Sequence, residues 1–95
     1  MSPTIDSIRT RVVELMRHHG VVQAGVFGSV ARGEATESSD VDFLVEFEQG
    51  RTLLDLSGLR LDLAEALERS VDVATRNSLH PELRDQILSE LVPLI

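Results

Sequence analysis

The sequence predicts a small α/β (α+β) domain, a mixed sheet with helices packed on it. Three observations carry this. Apolar residues recur at helical spacing near residues 5–16, 56–67 and 83–91. Between and around these stripes lie short runs rich in β-branched residues, at 21–27, 40–47 and 71–75. The chain has 95 residues, enough for one core and not for two. Residues 1–95 are therefore read as a single domain. The pattern alone leaves the strand order open.

Ile5, Ile8, Val12 and Met16 step by three or four and form one helical stripe, with Thr4 as its cap and Gly20 as its stop. Residues 21–27 then read as a buried strand ending in glycine. The segment GSVARGEATESS is a loop with room for a short helical turn. From 40 to 47 the chain alternates: Val41, Phe43, Val45 and Phe47 take one face, and Asp40, Asp42, Leu44 and Glu46 the other. Residues 48–51 turn the chain. Thr52 and Asp55 then resemble a capping box, followed by the stripe Leu56, Leu59, Leu63 and Leu67. A short strand at 71–75 follows. His80-Pro81 opens a last helix, because proline suits the first helical position, with Leu83, Ile87 and Leu91 expected inward.

Composition narrows the function. Aromatic residues make up 3% of the chain, so the core must be aliphatic. The net charge of −7 disfavours a surface that tracks nucleic-acid phosphates, and no direct nucleic-acid contact is expected. All nine basic residues are arginine, which excludes a phosphate-loop lysine or a Schiff-base lysine. Cysteine is absent, so there are no disulfides or thiolate metal sites. No apolar run reaches the roughly 20 residues of a membrane span, and the opening MSPTIDSIRT lacks signal-peptide features. A cytoplasmic location is the expectation.

The chemistry concentrates on carboxylates. Asp40 and Asp42 lie two apart on a strand, so their side chains leave the same face, roughly 6–7 Å apart at Cα. Two such groups raise each other's pKa unless a cation lies between them, and Mg²⁺ favours a few carboxylates completed by water and phosphate. Asp72, flanked by Val71 and Val73, supplies a third carboxylate if its strand neighbours the first. An isolated Asp-x-Asp is usually a solvated strand face. Aspartate is depleted in strands, however, so three in two short strands require a reason. Gly28-Ser29 at the end of the preceding strand offers one. A Gly-Ser turn lets backbone N–H groups and a hydroxyl approach phosphate oxygens, although taken alone it is more often a plain turn.

Together, Gly28-Ser29, the following Ala31-Arg32-Gly33, Ser39-Asp40-Val41-Asp42 and the later Asp72 resemble the signature of minimal nucleotidyltransferases of the DNA polymerase beta superfamily. The resemblance spans almost the whole chain. It implies the polymerase-beta-like nucleotidyltransferase fold and a catalytic, metal-holding role for Asp40, Asp42 and Asp72, with two Mg²⁺ ions. Gly28 and Ser29 would bind the β- and γ-phosphates of ATP, while Arg32 and Ser39 are weaker candidates for triphosphate contact or for bracing the loop. Position 30 is valine where a polar residue is common, and Phe43 replaces the usual leucine.

Stand-alone members of this family resemble the antitoxins paired with HEPN-domain ribonucleases. This implies transfer of AMP from ATP to a tyrosine hydroxyl of such a toxin; whether the chain forms a homo-oligomer or a hetero-oligomer is left open by the sequence. A contact-only antitoxin and a subunit of a drug-modifying transferase are the alternatives. His18-His19 is expected to serve the end of its helix and His80 to cap the next one. Arg76 is expected to be an ordinary surface arginine, with nucleotide contact as its sharper role. The apolar stripe from Leu83 to Leu91 reads equally well as core or as partly a partner's interface.

Overall fold

A computed structural model describes residues 3–95; Met1 and Ser2 lie outside it. Helix α1 (Ile5–His18) is capped by the Thr4 hydroxyl, which accepts from the Ser7 N–H at 3.2 Å. Its stripe Ile8, Val12 and Met16 is buried, and Gly20 takes φ +83° to turn the chain. Strands β1 (Val21–Phe27) and β2 (Val41–Phe47) pair antiparallel. An irregularity between Val21 and Gln23 shifts the register by one residue. The extra residue lets Val21, Ala24 and Val26 all be buried while Val22 is left exposed, which strict alternation would not allow.

Helix α2 (Leu53–Leu67) carries the expected capping box: Thr52 and Asp55 satisfy each other's backbone N–H groups. It links β2 to β3 (Val71–Ala74), and the two strands run parallel, as a helical crossover requires. A 3₁₀ turn at Arg76–Ser78 leads to α3 (Pro81–Glu90), capped by His80 with Pro81 in its first turn. The chain ends in β4 (Val92–Pro93), antiparallel to β1, giving the sheet order β3-β2-β1-β4.

Helices α1 and α2 cover one sheet face. There Ile8, Val12, Met16, Leu59, Leu63 and Leu67 pack with Val26, Val41, Phe43 and Val45. Phe43, in place of the usual leucine, is wholly buried there. At the end of α1, His19 Nε2 meets Asp62 Oδ2 at 2.6 Å, tying α1 to α2. Among the described residues no helix is long and apolar enough to cross a membrane.

Three expectations require correction. The last strand β4 was not foreseen: the apolar tail was left without an element, yet Leu94 N–H donates to the Ala24 carbonyl at 2.8 Å and its side chain is buried. Leu83 does not point inward; it is 51% exposed, and α3 buries no residue fully. Leu44, placed with the polar residues by alternation, is buried. Its cross-strand partner Gly25 is covered by Leu91, to which a Cβ at Gly25 would come within 2.8 Å, and Leu44 and Leu91 line one cavity. The C-terminal segment therefore covers part of the sheet's second face.

Candidate active site

The same end of the sheet gathers the end of β1 and the beginnings of β2 and β3. Phe27 pairs with Asp42 in one ladder, and Asp42 pairs with Asp72 in the other. Parallel pairing thus places the second and third carboxylates side by side. Asp40 stands just ahead of β2, exposed, and Asp42 is half-buried. The loop entering β2 is held by Arg69, whose guanidinium donates to the Ser39 carbonyl at 2.9 Å.

Electrostatics separates Asp42 from its neighbours. Its pKa is raised above the usual carboxylate range, first by burial, then by the charges of Asp72 and Asp40 and by a hydrogen bond with Asp72, against a smaller opposing effect of Arg32. Burial and neighbouring like charges both favour the protonated form of a carboxylate. Among the described residues, no three His, Cys, Asp or Glu side chains form a preformed cage for a metal ion. Yet the donor set fits one. Oxygen ligands that repel one another suit a hard divalent cation, and Mg²⁺ draws its remaining ligands from water and phosphate.

Gly28 follows β1 directly with φ +75°. A Cβ at this position would collide with Asp42 Oδ2, so the turn and the carboxylate are in contact through the glycine's bare α-carbon. The chain then makes one helical turn: Arg32 N–H donates to the Gly28 carbonyl at 3.1 Å, and Glu34 N–H to the Ser29 carbonyl at 2.9 Å. The N–H groups of Ser29, Val30 and Ala31 precede the first i→i+4 bond, so the turn itself supplies them no partner. Val30 is buried in the core, which accounts for an apolar residue there.

Arg32 forms ion pairs with Glu34 at 3.1 Å and Glu90 at 3.3 Å. The Ser39 hydroxyl accepts from the Thr36 N–H at 2.8 Å and so braces its loop. Asp40, Asp42, Asp72 and Gly28 are thus brought together, with Ser29 and Arg32 on the adjoining turn.

A family model described as a nucleotidyltransferase domain matches residues 5–94, nearly the entire chain. The chain belongs to this nucleotidyltransferase family. A Methanocaldococcus jannaschii relative, provisionally named a protein adenylyltransferase, is 47% identical over 91 residues, covering 96% of this chain and 98% of its own. The protein adenylyltransferase MntA of Thermococcus cleftensis is 43% identical over 89 residues, covering 93% and 90%. A solved structure provisionally described as a minimal nucleotidyltransferase superposes with TM-score 0.82 at 47% identity, covering 96% of each chain. A Shewanella oneidensis structure, described as a tri-AMPylated HEPN toxin in complex with an MNT antitoxin, shares the fold at TM-score 0.73. Its identity is 20%, with 97% of this chain and 72% of that one covered.

Two features of this nucleotidyltransferase were not foreseen from its sequence. Glu90, at the end of α3, accepts a hydrogen bond from the Gly28 N–H at 3.0 Å and reaches Arg32. The available signal was a lone acid within the apolar tail LSELVPLI, too weak to assign a partner 62 residues away. The second is a cavity of about 210 Å³ on the carboxylate-bearing face, where Arg76 lies with Gln23, Gly25, Leu44, Glu46 and Leu91. His80 is a cap, as expected, its Nδ1 accepting from the Glu82 N–H at 3.3 Å.

Proposed function

We propose that this protein transfers AMP from ATP to a tyrosine hydroxyl of a HEPN-domain ribonuclease toxin, and so acts as its antitoxin. The observation that carries the catalytic half is the register of Asp42 on Asp72, with Gly28 packed against Asp42. Support for the partner comes from relatives named protein adenylyltransferases and from a fold neighbour described with an AMPylated HEPN toxin.

In this reading the Gly28-Ser29 turn holds the β- and γ-phosphates, through the backbone N–H groups that follow Gly28 and the Ser29 hydroxyl. Asp40 and Asp42 would hold two Mg²⁺ ions, and Asp72 one of them. When bound, the metals polarise the α-phosphate and lower the pKa of the acceptor hydroxyl. Asp72 faces the acceptor and takes up or guides its proton. The acceptor oxygen bonds to the α-phosphorus as the bond to pyrophosphate breaks on the opposite side.

Calorimetry tests the nucleotide site. ATP binds in the presence of Mg²⁺ and much more weakly with chelator; equal binding in both conditions would refute the metal assignment. Ser29→Ala keeps the turn but removes one hydroxyl donor to a charged acceptor, a contact worth about 1.5–3 kcal/mol. Affinity for MgATP therefore falls roughly 10- to 100-fold with little change in melting temperature. Unchanged affinity would assign the phosphate contact to the backbone alone.

A further inference from the structure

We propose that Glu90 is a positioning residue for phosphate binding, holding the Gly28 turn in register with Asp42 from the far end of the chain. The inference rests on the nucleotide site proposed above and adds to it a residue outside the Gly-Ser and Asp-x-Asp motifs. Gly28 is gripped on two sides. Its α-carbon abuts Asp42 Oδ2, and its N–H donates to Glu90 Oε1 at 3.0 Å. Glu90 also accepts from Arg32 Nη1 with both carboxylate oxygens at 3.3 Å, so one side chain fixes the start and the end of the same helical turn.

The placement of Glu90 favours a brace over a loosely held anion that ATP would displace. Its side chain is only 18% exposed, and one residue, Leu91, separates it from β4, which pairs with β1 at Gly25 and Val26. Its backbone is therefore anchored to the strand whose end carries Gly28. With Gly28 N–H occupied, the following N–H groups of the turn and the Ser29 hydroxyl are the ones held in position for phosphate. A misplacement of about 1 Å in such a constellation can cost about a hundredfold in rate.

Glu90→Ala and Glu90→Gln separate this role from general stability. The glutamine keeps a carbonyl oxygen for Gly28 N–H, whereas alanine removes it. Two readouts are used on the full-length protein. Amide hydrogen exchange at Gly28 reads the brace without nucleotide: protection is expected in the parent and in Glu90→Gln, and its loss in Glu90→Ala. Calorimetry reads the consequence: Glu90→Ala weakens MgATP binding about tenfold or more, while Glu90→Gln stays within about threefold of the parent. Rescue by glutamine is the outcome that a mere loss of folded protein would not produce in the affinity of the folded fraction. Unchanged affinity in Glu90→Ala overturns the proposal, and tighter binding does so too, since it would make Glu90 a competitor of phosphate. Equal weakening in both variants also overturns it. If the parent protein binds no MgATP, the nucleotide site fails instead, and Gly28 exchange still decides whether Glu90 holds the turn.

Discussion

Asp42→Asn lowers adenylyl transfer by about 10³-fold or more while leaving the metal-free protein as stable as its parent or slightly more so. The rate effect follows from the metal-holding role proposed for Asp42, since losing a charged ligand costs several kcal/mol at the transition state, with each 1.4 kcal/mol a factor of ten. The stability effect follows from the raised pKa of Asp42, caused by burial and by the charges of Asp72 and Asp40. An acid with a raised folded pKa holds its proton more tightly when folded than when unfolded. Its contribution therefore favours folding at low pH and declines as pH rises from the ordinary carboxylate value through the raised one. At neutral pH the ionised group destabilises the fold, and asparagine removes that penalty. Thermal melting in chelator across the acidic range checks both points. The stability of the parent relative to the variant should decline as pH rises, with no loss in the variant at neutral pH; a large fall in melting temperature would make Asp42 a structural residue.

Gly28→Ala disables the site by a different route. At φ +75° a side chain costs roughly 1–2 kcal/mol, and the added methyl collides with Asp42 Oδ2. Asp42 or the turn must move, so transfer is expected to fall about a hundredfold even in the folded protein. Gly33→Ala is the control. Gly33 also has positive φ, at +73°, but a Cβ there meets nothing within 4 Å. It should lose a similar amount of stability and retain most activity. Equal loss of activity in both variants would show that backbone strain, not the contact with Asp42, is the cause.

The sequence made legible what depends on near neighbours. The capping box of Thr52 and Asp55, the stripe of α1 and the alternation of β2 are all set within a few residues. The Gly28-Ser29 turn and the Asp40/Asp42 pair were visible for the same reason. Asp72 was identifiable as a residue, but its place beside Asp42 depends on β2 and β3 being parallel neighbours, which spacing alone leaves open. β4 was hidden because two residues ending in Pro93 carry no strand signal of their own; proline is tolerated there on an edge strand, and β1 defines the pairing. Leu44 and Leu83 were misplaced because alternation and helical spacing say nothing of what covers a face. Leu44 is buried across from Gly25, which the C-terminal segment covers, whereas Leu83 is exposed. Glu90 belongs to the same class of long-range facts, since its partner lies on the opposite side of the sequence.

The central claim is that these carboxylates catalyse transfer to a protein partner, and the mass of that partner tests it most directly. A HEPN-domain ribonuclease is incubated with this protein, ATP and Mg²⁺, and its intact mass is measured together with its residual ribonuclease activity. The predicted result is a gain of at least one adenylyl group on tyrosine and loss of toxicity. Both should vanish with chelator and with the Asp40→Asn/Asp42→Asn double variant. Full neutralisation by that double variant, with no change in the mass of the partner, would contradict catalysis and leave an antitoxin that acts by contact alone.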